Sequence, residues 1–304
     1  MPLLKNQNQF VVLAPTRQEL DLLDEQDVLG YFDMWGPNVV LHMAAVCGGI
    51  GANKDSPAVF LESNLRMATN LFQAISKFQM VDCFYGLGSV CAYPKFTPVP
   101  FKETDIWNGM PEETNFPYGH AKRTLMLLQQ TYREQYNLKG AHLIPVNMYG
   151  EYDHFSLRNS HVIPALIRKI VNAKDTKLSS VEVWGDGTPT REFLYAGDCA
   201  KIIAQAVLSK FDYSEPINIG TGVDISIYDL AHKIKSIIGY DGEIVFTNDK
   251  DLNGQPRRRL DVSRAKSFGF VAETDLDTGL RHTVEWYQKN KLSGALASEL
   301  KDDK

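Results

Sequence analysis

Tyr118-Gly-His-Ala-Lys122 places a phenol and an amine four residues apart. On a helix, positions i and i+4 share a face, so the two groups stand side by side. A neighbouring cation favours the phenolate and draws a tyrosine down from its ordinary pKa of about 10. Such a tyrosine can give a proton to an alkoxide as hydride reaches a carbonyl, or run the reverse step. Spacing alone is weak, because Tyr287 and Lys291 repeat it near the C-terminus with no chemistry around them. Ser89 separates the two cases. It closes the apolar run "VDCFYGLGS" upstream of the Tyr118 segment, and a further apolar run follows that segment. Parallel strands of an α/β sheet bring their C-terminal ends to one edge, where ligands bind. Ser89 would there hydrogen-bond the carbonyl that Tyr118 protonates.

Two more residues invite the same question. Cys91 follows Ser89 by two positions, and in an extended backbone such residues point to one side, toward the same cleft. Taken alone, Cys91 reads as a small buried hydrophobe. His161 opens the helical stretch "RNSHVIPALIRK", and taken alone it reads as a capping or structural residue.

The elements that must position these side chains are legible as an α/β pattern. "FVVLA", "NVVLHMAA", "VDCFYGLGS" and "AHLIPVNMYG" are continuous apolar runs, as expected of parallel strands buried on both faces. "TRQELDLLD" starts a helix, and "SPAVFLESNLRMATNLFQAISKF" and "FPYGHAKRTLMLLQQTYREQY" are longer helical stretches. In the second stretch apolar residues from Phe60 to Phe78 recur at helical spacing. The alternation predicts a Rossmann-like, doubly wound parallel sheet over residues 1–150. After Gly150 shorter strands and helices predict a smaller α/β substrate-binding lobe, 151–292, interleaved with the last sheet elements. A polar tail, 293–304, is expected to fray.

Composition narrows the function. With 304 residues, 44% of them hydrophobic, the chain can bury a large core. A net charge of −5 argues against nucleic-acid or anionic-membrane partners, which want a basic surface. Cys47, Cys83, Cys91 and Cys199 follow no metal-ligand spacing, so no metal site is expected. Scattered cysteines without a signal peptide point to a reducing cytoplasm. No apolar run approaches the ~20 residues that span a bilayer.

The Ser89…Tyr118-x-x-x-Lys122 set resembles the short-chain dehydrogenase/reductase superfamily, extended branch. Several further segments, in order, resemble one family within it: GDP-L-fucose synthase, a GDP-4-keto-6-deoxy-D-mannose 3,5-epimerase/4-reductase. They are "AAVCGGIGAN", "GLGSVCAYPK", "NFPYGHAKR", "NSHVIPALIRK", "VEVWGDGTPTREFLY", "INIGTGVDISIYDLA" and "PRRRLDVSRA". The resemblance implies that Ser89, Tyr118 and Lys122 are the reductase triad, with Cys91 as base and His161 as acid in epimerisation. It implies that Asn147, Lys169, Trp184, Arg191 and Arg258 hold a GDP-sugar. Arginine suits a diphosphate because its planar fork can bond two oxygens at once. It further implies NADP(H) as cofactor, contacted by Arg17, Leu22, Leu87, Gly88, Ser89, Lys122, Pro145, Val146, Asn147, Met148 and His161. Arg17 matches an arginine that pairs with the 2′-phosphate. The resemblance also implies a homodimer built on the two long helices.

The chemistry fits these residue types. A ketone at C4 acidifies the protons on C3 and C5, because the carbanion left behind is an enolate. One base and one acid can then invert both carbons before the ketone is reduced. Two departures stand out. Val90 occupies a position where the family often carries a second hydroxyl residue. The chain has no glycine before Gly30, and Gly48-Gly49-Ile50-Gly51 lacks the GxxGxxG spacing and lies a strand too late. The expectation is therefore that the first strand, its glycine loop and half a helix, roughly 20 residues by the size of a βαβ unit, belong upstream of Met1. That points to an incomplete gene or a misplaced start codon. Alternatives to the synthase are a 4-reductase or epimerase on a related nucleotide sugar, or a pseudoenzyme that binds a GDP-sugar without turnover.

Overall fold

Cys83–Leu87, five consecutive buried residues, show how the sheet is built. Phe84 faces one way and meets Phe72 at a ring separation of 4.7 Å. Tyr85 faces the other way, into a cluster with Ile202, Ile203 and Val207. Side chains alternate along a strand, so only a strand covered by helices on both faces is apolar throughout.

The structure is a computed structural model that describes residues 2–5, 10–157, 160–249 and 253–296. Its strands, in chain order, are β1 Val39–His42, β2 Cys83–Leu87, β3 Lys139–Pro145, β4 Asn147–Tyr149, β5 Ser180–Val183, β6 Thr190–Tyr195, β7 Ile217–Ile219, β8 Asp224–Ser226, β9 Glu243–Phe246 and β10 Arg257–Arg258. The main sheet runs β1-β2-β3-β7, all parallel. Helices Pro57–Phe78 and Phe116–Tyr136 cover one face, and helix Ala196–Leu208 lies on the other. A smaller sheet, β10-β6-β4 with β8 added on β6, and a separate β5–β9 pair form the second layer. Their core holds Ile163, Ile167 and Ile170 of helix Val162–Asp175, Ile234 of helix Ile227–Ile238, and Leu280 and Tyr287 of helix Leu276–Leu292.

The chain passes between the layers twice near the site. β3 becomes β4 across the single residue Val146, and β6 leads through helix Ala196–Leu208 back to β7. The parallel sheet and the α/β class are as expected. Both long helices match the expected stretches, and each carries a proline in its first turn, where a missing N–H costs nothing.

The opening differs from expectation. "FVVLA" is not a strand: residues 10–15 make no ladder, and Val11 is 92% exposed, although Phe10 and Val12 pack on the main core. Apolar character buries side chains, but a strand also needs a hydrogen-bonding neighbour. Among the described residues none lies alongside, and β1, with Val39–Leu41 half-buried, is the edge of the main sheet. "TRQELDLLD" forms turns instead of a helix. Glu19 accepts from the amide and hydroxyl of Thr16 at 2.7 and 2.9 Å and the Leu20 amide donates to the Thr16 carbonyl at 2.9 Å, a helical start that stops after one turn, where Asp21 accepts from the Leu23 amide instead. The helix begins only at Glu25, capped by Asp24, whose carboxylate accepts from Gln26 and Asp27. At the other end Leu296 is buried in the second core, so order continues past Ser293. The rest of the expected tail, 297–304, lies outside the described residues.

Candidate active site

β2 ends on Leu87-Gly88-Ser89, and the sequence there shapes a turn. Gly88 admits His142: a Cβ on residue 88 would sit 2.7 Å from the imidazole Nε2. The backbone of Ser89 is extended, and its Oγ accepts from the Cys91 amide at 3.2 Å, opening a 3-10 turn over Val90–Ala92. Cys91 therefore reaches the cleft on a turn and not on the extended run expected of it. A serine at this position competes for the next amides and ends the strand early. Arg123 closes the turn by donating Nε to the Ala92 carbonyl at 2.7 Å.

Helix Phe116–Tyr136 lies against that turn because residue 119 is glycine. A Cβ there would stand 2.5 Å from the Cys91 carbonyl oxygen. The close approach sets Tyr118 beside Ser89 and Cys91. Lys122, one turn on, is buried and donates Nζ to the Leu87 carbonyl at 3.0 Å. Its Nζ is 5.7 Å from the centre of the Tyr118 ring. Burial lowers the Lys122 amine to about 8. Burial also pushes the Tyr118 phenol up, the Cys47 and Cys91 sulfurs add to the rise, and a hydrogen bond with Ser89 pulls it back. The expected lowering of Tyr118 by Lys122 is thus not seen. The amine gives one bond to the Leu87 carbonyl and lies over the ring face, and desolvation dominates both groups.

Ser89, Cys91 and Tyr118 border a cleft of about 670 Å³ between the layers, while Lys122 is not among the residues that line it. Gly88, Pro145, Val146, Asn147 and Met148 line it from the main sheet's side, and His161, Lys169, Trp184, Arg191 and Arg258 from the second layer. Arg191 and Arg258 are register partners on β6 and β10. Arg258 donates Nη1 toward the Cys91 Sγ at 3.7 Å and the Asn147 Oδ1 at 3.5 Å. Arg191 donates to the Thr190 and Asn253 carbonyls at 2.9 and 3.0 Å. Burial, then the neighbouring Arg258 charge, bring Arg191 down to about 9. Two guanidiniums held this close and this dry suit an anion with several oxygens. Lys169 lies 5.1 Å over the Trp184 ring, and burial lowers its amine. His161 precedes helix Val162–Asp175 without capping it, so its imidazole is left to the cleft. Arg158 and Asn159, in the same matching stretch, lie outside the described residues.

Besides Lys122, three expected cofactor residues do not line the cleft. The Arg17 side chain is 78% exposed and 3.6 Å from the Asp21 carboxylate. Leu22 packs under helix Pro57–Phe78, where its carbonyl accepts from Asn70 at 2.9 Å. Leu87 borders an adjoining apolar hollow with Leu4, Leu41 and Met148. The Tyr287–Lys291 pair is remote from the cleft: Tyr287 is wholly buried in the second core, and Lys291 bonds Asn172 and Asp175.

Cys47 was not anticipated as a site residue, yet it lines the cleft. Its loop is clamped from both sides. Asn64 exchanges bonds with the amide and carbonyl of Val46 at 3.0 and 2.9 Å, and Asn53 donates to the carbonyls of Gly48 and Gly49 at 2.9 and 3.0 Å. Burial pushes the Cys47 thiol up. The usable signal was Asn64, with Asn70 one of two amides on the otherwise apolar buried face of the helix.

A parallel sheet with a serine at a strand end and a tyrosine–lysine pair on the next helix defines an α/β oxidoreductase of the short-chain type, here with a second layer that brings Arg191 and Arg258 to the cleft. Residues 3–220 match the NAD dependent epimerase/dehydratase family, and the chain belongs to it. It is 39% identical over 285 residues to a probable GDP-L-fucose synthase 1 of Oryza sativa subsp. japonica, covering 93% of this chain and 85% of that protein. Among solved structures it is similar to a GDP-6-OMe-4-keto-L-xylo-heptose reductase from C. jejuni, with a TM-score of 0.86 and 28% identity over 95% of this chain and 94% of that one. It is also similar to a GDP-L-fucose synthetase from Naegleria fowleri bound to NADP, with a TM-score of 0.82 and 25% identity over 92% and 86%.

Proposed function

We propose that this chain converts GDP-4-keto-6-deoxy-D-mannose to GDP-L-fucose, by epimerisation at C3 and C5 followed by NADPH-dependent reduction at C4. The observation that carries the reading is one cleft lined by two sets of groups: Ser89 and Tyr118, with Lys122 5.7 Å from the Tyr118 ring, and Cys91, within 3.7 Å of Arg258, together with His161. Relatives at this identity named for that synthesis support it.

In this reading residues 1–150 carry the cofactor and 151–292 the GDP-sugar. Arg191 and Arg258 hold the diphosphate, Asn147 the sugar, and Lys169 and Trp184 the nucleoside end. Cys91 removes a proton next to the C4 ketone, with the Arg258 charge accompanying the thiolate. His161 returns a proton from the opposite face. Ser89 hydrogen-bonds the ketone oxygen, and Tyr118 protonates it. The buried Lys122 amine, with donors to spare beyond Leu87, together with Tyr118, Ser89 and residues 145–148, fits the nicotinamide end of the cofactor. NADPH, when bound, supplies the hydride for C4. The pyrophosphate end is less provided for, since the described residues include no GxxGxxG turn.

The chain works in the cytoplasm as a homodimer. Its helices Pro57–Phe78 and Phe116–Tyr136 leave Val59, Leu61, Phe116 and Leu127 exposed for pairing, and its cysteines are free. None of the described helices is long and apolar enough to cross a membrane. A second reading, a 4-reductase on a related GDP-sugar, draws on the likeness to the heptose reductase.

Incubating the keto-sugar in D₂O, with and without NADPH, tests both. Deuterium at C3 and C5 without NADPH, and GDP-L-fucose only with it, is expected. Reduction without exchange would favour the second reading. NADPH titration of the chain completes the test, because absence of binding by a folded protein would leave a GDP-sugar-binding pseudoenzyme.

A further inference from the structure

Glu192 lies on β6 next to Arg191, yet points away from the cleft and is wholly buried. A buried carboxylate is costly unless its oxygens are well bonded. Its described partners are three backbone amides and one hydroxyl. Oε1 accepts from the amides of Thr221 and Gly222 at 2.6 and 2.7 Å and from the Thr221 hydroxyl at 3.4 Å. Oε2 accepts from the Leu260 amide at 2.7 Å. Burial raises this carboxyl, and those same bonds pull it back. The packing is tight enough to dictate its neighbour: a Cβ on Gly220 would stand 2.2 Å from Oε1.

The consequence falls on Arg258. β10 is only two residues long, so its ladder with β6 does little to fix it. Gln255 Oε1 accepts from Arg258 Nε at 3.2 Å and the Arg259 carbonyl accepts from the Phe101 amide at 2.8 Å, and two further ties start at Glu192. The side chain holds Leu260, two residues beyond Arg258. The Glu192 carbonyl accepts from Asn147 Nδ2 at 2.8 Å, while Asn147 Oδ1 faces Arg258 Nη1 at 3.5 Å. That same Nη1 approaches the Cys91 sulfur. Ser89, Tyr118 and Lys122 sit on elements that Glu192 does not bond.

We propose that Glu192 is a positioning residue that holds Arg258 against Cys91, so that epimerisation depends on a carboxylate that never touches the substrate. This rests on the function proposed above. A merely structural carboxylate would weaken both half-reactions together. A positioning one separates them.

The test uses Glu192→Gln, which turns one acceptor oxygen into a donor facing an amide, and Gly220→Ala, which keeps the carboxylate and crowds it. Three readouts are compared with wild type: deuterium exchange at C3 and C5, NADPH-dependent reduction of the already epimerised ketone at saturation, and iodoacetamide modification of Cys91 located by peptide mass. For both variants exchange is expected to fall about 10-fold or more, the scale of a sub-ångström misplacement of a catalytic group. Cys91 modification should slow with it, because the thiolate is the nucleophile. Reduction at saturation should fall less than exchange, about 3-fold, since displacing Arg258 weakens the hold on the diphosphate, which saturation offsets, while Ser89, Tyr118 and Lys122 stay in place. Equal loss of exchange and reduction, or wild-type exchange and Cys91 reactivity in both variants, overturns the proposal. Should Glu192→Gln fail to fold, Gly220→Ala decides alone. If wild type itself shows no exchange while Cys91 modification slows in the variants, the positioning role stands and the proposed reaction falls.

Discussion

Gly119→Ala is the sharpest probe of how the site is assembled, because two effects of opposite sign meet at one methyl group. Residue 119 is inside helix Phe116–Tyr136, where alanine is favoured over glycine by about 1 kcal/mol. On propensity alone the variant gains stability. The added Cβ, however, would lie 2.5 Å from the Cys91 carbonyl oxygen and 3.0 Å from the Pro111 Cβ. Contacts under 3.0 Å are essentially never made by real Cβ atoms, so helix and turn must part by at least half an ångström. The turn has little freedom to yield, being held by the Ser89 Oγ at one end and by Arg123 at the other. Overpacking of this kind costs about 1–3 kcal/mol, which outweighs the propensity gain. The same displacement separates Tyr118 from Cys91. Since a 1 Å misplacement can cost about 100-fold in rate, half of that predicts about 10-fold losses in exchange and in reduction alike. Urea melts give the stability, and the D₂O assay gives both rates. A variant that melts later than wild type and keeps both rates would refute the claim that this contact sets the site.

The half-reactions should also separate by residue. Tyr118→Phe is expected to lower C4 reduction by about 10²–10⁴-fold, the usual worth of a general acid, and to leave deuterium exchange at C3 and C5 running; loss of exchange too would remove Tyr118 from its assigned step. Cys91→Ser should show the converse, with exchange crippled and reduction of a pre-epimerised ketone largely retained; normal exchange would strip Cys91 of the base role. Lys122 makes a prediction about pH. Its amine falls from 10.5 to about 8 on folding, so between those values the unfolded chain binds more protons, and stability rises with pH across that window. Below about pH 8 the full penalty, on the order of 3 kcal/mol, is present. Lys122→Met should recover part of it at pH 7, less what the lost bond to Leu87 contributes, and its advantage should shrink by pH 10. An advantage that does not change with pH in paired urea melts would mean the amine is not held near neutrality.

What could be read beforehand follows the physics of each feature. Helices Pro57–Phe78 and Phe116–Tyr136 were legible because apolar periodicity, a first-turn proline and a free run of good helix formers agree locally. "FVVLA" misled because apolar character reports burial, whereas a strand also requires a neighbour that no single segment can supply. Residues 16–24 misled because the Thr16–Glu19 contact starts a helical turn that ends at once, where the Asp21 carboxylate takes the Leu23 amide. Cys91 was placed in the cleft for an inadequate reason, since the Ser89 cap and not an extended run delivers it. Arg17 was expected at the cofactor by resemblance alone; its guanidinium is largely in solvent, 3.6 Å from Asp21.

The residue types of the site were visible in the chain, but their pairing was not. Cys91 and Arg258 are 167 positions apart, and nothing local to either says that Nη1 stops 3.7 Å from the sulfur. That distance is produced by the second layer, where the Glu192 carboxylate ties the segments at 221–222 and 260 to its own strand, and by Gly119, which lets the first layer's helix press the turn forward. Neither residue carries chemistry of its own, so a search for reactive types passes over both. The two effects differ in a way that experiment can use. Loosening Gly119 moves Tyr118 and Cys91 apart and strikes both half-reactions, whereas loosening Glu192 moves Arg258 and strikes one. A protein in which both variants lost exchange and reduction equally would have a single cooperative site. One in which they divide has two catalytic units that share a cleft and are positioned from opposite layers.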